Sequence, residues 1–197
     1  MTSPLDVGML ERACSMTDRI MSGVRREQLG DSTPCTDWTV QELMEHMVAS
    51  TDFFADVAEY GVVAEDREWP DYTPEELLPA FRHHAGRLVA AFRVPGVMDK
   101  PMTILAGPST AEFCIQIAIS ERFVHAWDLA AATGQSFGED GADIAEALLD
   151  SPEFRAVNSE VRTNTPAPLG PELAIESGGP VDRLMAFLGR DPSQATR

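Results

Sequence analysis

The sequence has little positive charge. Lys and Arg total 15 against 32 Asp and Glu, a net charge of −17 over 197 residues. A field of that sign repels phosphate backbones and anionic lipid, so neither nucleic acid nor a membrane surface is the expected partner. It also opposes anionic small substrates unless local arginines reverse the sign inside a pocket; Arg82, Arg87 and Arg122 are the candidates. No run approaches the roughly 20 consecutive apolar residues that span a bilayer. The opening Met1-Thr2-Ser3-Pro4-Leu5-Asp6 lacks a basic region and an apolar core, so secretion is not expected. Cysteines are scarce: Cys14, Cys35 and Cys114 form no CxxC pair and no disulfide framework, and a cytoplasmic location is the expectation. GxxxxGK and GxGxxG fingerprints are absent, as are internal repeats and low-complexity tracts.

What remains is an ordinary globular composition, 44% hydrophobic and 24% charged, on a chain long enough for one full core but short for two independent domains. Four long helical patterns stand out. The first runs from about Pro4 to Leu29, with Leu5, Met9, Ala13, Met16, Ile20 and Val24 on one face. The second starts at Thr39, whose hydroxyl pairs with Glu42 in a capping box, and ends at Gly61. The third opens with Thr73-Pro74-Glu75-Glu76 and ends at Pro95-Gly96; Pro79 should kink it or delay its start. The fourth begins with a second capping box, Ser109-x-x-Glu112, and stops at Gly134. Between the second and third lies an acidic run from Glu59 to Glu76, read as a solvated connection. Residues 100–109 suit either a short hairpin or an extended loop. A short helix over Gly141–Leu149, an irregular Pro- and Gly-rich stretch over Pro166–Pro180 and a terminal helix over Val181–Leu188 follow. The expected fold is all-α: a four-helix bundle over residues 1–135, with residues 136–197 as an extension packing back onto it.

Four histidines can each be weighed. Glu121 and His125 are four residues apart on the fourth helix and project from one face, within about 40° and about 6 Å of each other. The pair is either a helix-surface Glu–His contact or two ligands of one cation. His46 lies mid-helix among Leu43, Met47, Ser50 and Phe53, as a core histidine or a third ligand. Together His46, Glu121 and His125 would form a three-ligand set with coordination positions left open. Asp128, one turn after His125, is a candidate to orient a ligand from behind. His84, between Phe81 and Leu88, is a satisfied core histidine, a further ligand or a substrate contact. Cys14 and Cys114 read as small buried hydrophobes. Cys35 precedes the second helix, where a helix N-terminus can lower a thiol pKa, but no histidine is near it in sequence.

Three segments carry a family resemblance. Thr33-Pro34-Cys35-Thr36-Asp37-Trp38-Thr39-Val40-Gln41-Glu42-Leu43-Met44-Glu45-His46 is similar to the segment opening the second helix of DinB-like proteins. Glu121-Arg122-Phe123-Val124-His125-Ala126-Trp127-Asp128-Leu129-Ala130 resembles the second metal signature of the mycothiol-dependent maleylpyruvate isomerase branch, and Phe187-Leu188-Gly189-Arg190-Asp191-Pro192 is similar to the ending of its single-domain members. The resemblance implies an up-down-down-up bundle, often dimeric, with a divalent metal on His46, Glu121 and His125. The family metal is commonly zinc, with nickel an alternative. It also implies a low-molecular-weight thiol as cosubstrate, deprotonated on the metal and directed at a small electrophile, in isomerisation or in S-transfer. Alternatives are metal-activated hydrolysis and a non-catalytic metal- or ligand-binding module. The isomerase carries a further C-terminal domain, whereas about sixty residues follow the fourth helix here.

Overall fold

A computed structural model of the chain describes residues 5–35, 37–65, 67–104, 107–138, 140–163 and 169–194. Four long helices, α1 (Val7–Ser22), α2 (Val40–Tyr60), α3 (Pro74–Phe92) and α4 (Ala111–Thr133), form the body. They close a ring in which α1 touches α3 and α4, and α2 touches α3 and α4. Each sends its apolar stripe inward: Leu10 and Ile20 from α1, Leu43 and Met47 from α2, Leu77 and Leu88 from α3, and Ile119, Phe123 and Trp127 from α4 are all nearly or fully buried. No helix among the described residues is long and apolar enough to cross a membrane.

The caps follow local chemistry. Thr39 Oγ1 accepts from the Glu42 amide, and Glu42 Oε2 accepts from the Thr39 amide at 2.8 Å. At Thr73 only half of this box forms: Glu76 Oε2 accepts from the Thr73 amide at 2.9 Å, while the Glu76 amide donates to the Thr73 carbonyl. Gly61 and Gly134 end α2 and α4 in the left-handed conformation.

Several local expectations need correction. The first helix is shorter than its periodicity suggested: α1 stops before Gly23, and a separate 3-10 turn covers Arg26–Gln28; its expected start at Pro4 lies outside the described residues. The fourth helix is capped by Thr110, which accepts from the Phe113 amide at 3.2 Å, and not by Ser109. Ser109 is held instead in a hairpin of β1 (Pro101–Ile104) and β2 (Gly107–Thr110), opposite Met102. Helix α3 starts at Pro74 and runs through Pro79. The acidic connection is only partly solvated. Arg67 turns inward to Asp52 and Asp56 of α2, and Tyr72 reaches His84.

Beyond the bundle come α5 (Ala142–Asp150), α6 (Pro152–Val161) and α7 (Pro180–Phe187). Helix α6 was not anticipated, although Ser151 as cap and Pro152 in the first turn are readable start signals. Residues 164–168 of the Pro-rich stretch lie outside the described residues. The extension is tied back at several points. Arg12 pairs with Asp143, Arg19 donates to the carbonyls of Ser136 and Phe137, and Gln116 and Ser151 exchange hydrogen bonds. Replacing the α2 cap, Thr39→Ala, should lower stability by about 1 kcal/mol, read as a lower urea midpoint with an unchanged slope.

Candidate metal centre

Helices α2 and α4 bring three side chains to one point. His46 Nε2 lies 3.1 Å from Glu121 Oε2, and His125 Nε2 lies 3.6 Å from the same oxygen. The two imidazoles meet edge to face, their centroids 5.0 Å apart. The donor atoms of all three lie within 4.8 Å of one another. Two imidazole nitrogens and a carboxylate oxygen form a donor set that suits a divalent transition ion, and their spacing lets one cation touch all three. Burial raises the Glu121 carboxyl, but the His46 hydrogen bond and the neighbouring His125 and Arg122 outweigh it and hold the pKa at about 2. Glu121 is therefore an anion at neutral pH.

The groups behind His125 fix how it presents itself. Asp128 Oδ2 lies 3.0 Å from His125 Nδ1. A carboxylate only accepts, so Nδ1 carries a proton, and in the neutral ring the lone pair is then on Nε2, the nitrogen that faces Glu121. Asp128 is wholly buried, and Arg190 binds it bidentately, Nε to Oδ1 at 2.8 Å and Nη2 to Oδ2 at 2.9 Å. Burial opposes the charge of Asp128, but Arg190 and His125 outweigh that and hold its carboxyl far below the usual carboxylate range. Arg190 is aimed by a tight turn after α7. Gly189 has φ of 80°, and a Cβ there would meet the Gly170 carbonyl oxygen at 2.7 Å, so only glycine fits.

The loop before α2 supplies the other wall. Thr33 Oγ1 donates to the carbonyls of Cys35 and Trp38, and the Val40 amide donates to the Asp31 carbonyl. This pinned turn stacks Trp38 on His46 with centroids 4.5 Å apart. It also places Cys35 Sγ 3.3 Å from Asp128 Oδ2 and 3.8 Å from His125 Nδ1. Burial and the Asp128 carboxylate push the Cys35 thiol up, with Arg190 a smaller opposing influence. The helix N-terminus does not activate it: Cys35 is a protonated donor to Asp128, not a thiolate.

A cavity of about 620 Å³ opens onto these groups. Trp38, Val124, Phe154, Leu169 and Leu188 supply its apolar wall, so the extension beyond α4 builds half of it. The remaining sequence candidates lie elsewhere. His84 is a satisfied buried histidine, its Nε2 2.9 Å from Tyr72 Oη and its Nδ1 2.8 Å from Asp52 Oδ1. Arg82 pairs with Asp18, and Arg87 with Asp52, Asp56 and Glu59. Arg122 is buried, donating to Ser50 Oγ. Sequence reasoning missed the roles of Arg190 and Cys35 in this site. Both sit in the segments that carry the family resemblance, and that was the only signal for them.

A helical bundle whose facing helices gather two histidines and a glutamate beneath a cavity defines a class of protein, and the comparisons place the chain within it. Residues 10–130 match the family described as the mycothiol maleylpyruvate isomerase N-terminal domain. The chain belongs to that family. It is 33% identical over 187 residues to an uncharacterised protein of Mycobacterium tuberculosis, found in two strains, covering 91% of this chain and 94% of that protein. The fold is that of the crystal structure of the mycothiol-dependent maleylpyruvate isomerase, with TM-score 0.59 and 18% identity, over 81% of this chain and 70% of that one. A histidine-to-alanine mutant of the same enzyme gives a TM-score of 0.57 over the same shares. The all-α, DinB-like expectation agrees with this fold.

Removing one member of a buried ion pair strands the other. Arg190→Ala should therefore cost about 3–5 kcal/mol of stability, measured by denaturant unfolding. The pH dependence follows from the depressed Asp128 carboxyl. Its contribution is fully present above about pH 4, the ordinary aspartate range, and is lost as pH falls toward the lower folded value. The stability gap between wild type and Asp128→Asn should accordingly be largest near neutrality and close in acid, checked by thermal melts from pH 7 to pH 2.5.

Proposed function

We propose that this protein is a divalent-metal-dependent enzyme that uses a low-molecular-weight thiol of the mycothiol type against a small electrophile. The observation that carries this reading is the convergence of His46 Nε2 and His125 Nε2 on Glu121 Oε2 at the wall of a substrate-sized cavity. Family membership supplies the thiol. His46, Glu121 and His125 would hold the ion, proposed as zinc, with nickel the alternative. When bound, the ion supplies a Lewis acid that lowers the pKa of a coordinated thiol.

The chain's own residues do the rest. Asp128 holds the His125 tautomer and ring orientation, and Arg190 holds Asp128. Trp38 packs against the His46 ring, tilted by 32° with centroids 4.5 Å apart. The apolar wall of Val124, Phe154, Leu169 and Leu188 excludes water, so a thiolate meets its electrophile with little competing solvation. If the thiol is later expelled the outcome is isomerisation; if the new sulfur bond is kept it is S-transfer. Residues 136–197 are proposed as part of the same functional unit, because they supply Arg190 and half of the cavity.

The test is metal content followed by turnover. Protein purified without chelator should carry about one divalent ion per chain, lowered 10-fold or more in affinity by Asp128→Ala and abolished by His125→Ala. The metal-loaded protein should accelerate thiol addition to a generic electrophile and lose that activity on chelation. Full metal occupancy with no turnover across a panel of thiols and electrophiles would favour a non-catalytic binding module. Metal-dependent ester cleavage without any thiol would favour hydrolysis.

A further inference from the structure

Resting on that reading, we propose that the electrophile this pocket accepts is uncharged. The inference comes from where the positive charge has gone. Among the described residues, Arg190 is the only lysine or arginine lining the cavity. Its Nε and Nη2 are both committed to Asp128, and its Nη1 donates to the Leu188 carbonyl at 3.1 Å. A substrate carboxylate could recruit this guanidinium only by pulling it off Asp128, which is wholly buried and would be left charged without its partner. The guanidinium is thus a structural clamp and not a receptor.

Among the described residues, no other lysine or arginine takes its place in the cavity lining. Arg82 and Arg87 are held in their own contacts outside the cavity, and the buried Arg122, whose Nη2 donates to Ser50, is not among the residues lining it. Arg162 lies over the Phe187 ring and donates to the carbonyls of Gly170 and Phe187. Residues 164–168, which precede Leu169, are Asn, Thr, Pro, Ala and Pro. The charged groups that do line the cavity besides Arg190 are Asp37 and Glu121, both acidic. A dipositive ion held by the two histidines and Glu121 would be balanced by that carboxylate and one bound thiolate. An anion entering next would find no further cation among the described residues that line the cavity, and a chain of net charge −17 around it. What the cavity offers instead is the Trp38, Phe154, Leu169 and Leu188 wall, with Ser120 and Asn158 as polar side chains. These suit a flat, neutral, partly apolar molecule with a hydrogen-bonding substituent.

A matched pair of aryl halides tests this: methyl 4-chloro-3,5-dinitrobenzoate and the free 4-chloro-3,5-dinitrobenzoate, with mycothiol as the thiol. In both, sulfur bonds to the ring carbon and the C–Cl bond breaks. Chloride leaves with the electron pair, and the thiol proton passes to buffer. Each rate is divided by its own protein-free rate, which removes the difference in intrinsic reactivity. The zinc-loaded protein should favour the ester by about 100-fold or more in this normalised kcat/KM. Asn158→Lys, which places an unpaired ammonium in the cavity, should shrink that preference at least ~10-fold, mainly through a lower KM for the acid. Equal use of the two compounds, or preference for the acid, would overturn the inference and leave the thiol-transfer reading intact. Acceleration of neither, with zinc bound, would overturn both.

Discussion

A carboxylate with no exposure to water must be paid for by its neighbours, and Asp128 is the group around which this site is organised. Three donors from three distant parts of the chain converge on it: the His125 imidazole one turn back on α4, the Cys35 thiol from the loop before α2, and the Arg190 guanidinium from beyond α7. Arg190 alone satisfies both oxygens in the bidentate geometry that a lysine cannot reproduce. The desolvation of such an anion is worth several kcal/mol, so the arrangement persists only while all three segments are docked. The orientation of His125, and with it the convergence on Glu121, therefore depends on contacts made up to 93 residues away in sequence. The extension after α4 is in this sense part of the site's foundation, not an appendage to a finished bundle.

The parts of this arrangement that obey local rules were legible. Glu121 and His125 share a helix face because four residues return nearly one turn, and the caps that pair Thr39 with Glu42 and Thr73 with Glu76 mark where α2 and α3 begin. Gly61 and Gly134 mark their helix ends for an equally local reason. Asp128 was picked out because it follows His125 by one turn. That His46 would meet Glu121 rested on the resemblance, since spacing within α2 says nothing about which helix it faces. Arg190 and Cys35 carry no periodic signal at all. Their partner is 62 and 93 residues away, and only closure of the tertiary structure reveals the pairing. The state of the Cys35 thiol is out of reach of the sequence for the same reason. A helix N-terminus lowers a pKa, but a buried carboxylate 3.3 Å away raises it, and only the first is visible in sequence.

A second buried cluster shows the same economy at another place in the bundle. Asp52 and Asp56 of α2 are nearly inaccessible and are bound by Arg67, from the acidic connection, and by Arg87 of α3. His84 completes that network through Asp52 and Tyr72, which explains a histidine on an apolar stripe without any ligand role. Burial there lowers the His84 pKa despite the Asp52 charge, so the ring is neutral at neutral pH and serves as a hydrogen-bond bridge.

Taken together, these clusters turn the composition into an argument about specificity. A chain with 15 basic residues against 32 acidic ones has few cations to distribute. It buries some of them against its own carboxylates: Arg67 and Arg87 on Asp52 and Asp56, and Arg190 on Asp128. Others, Arg12, Arg82 and Arg93, hold together the outer faces of helices through pairs with Asp143, Asp18 and Glu11. Each buried pairing raises the cost of lending the cation to a ligand, because the abandoned carboxylate remains behind out of water. The net negative charge thus acts on recognition twice, through the long-range field and through the internal pairing that consumes the arginines. The second effect is local and little screened by salt, since Asp128 and Arg190 lie largely out of water. It follows that raising ionic strength would relax the approach of an anion to the cavity without creating a place for it to bind.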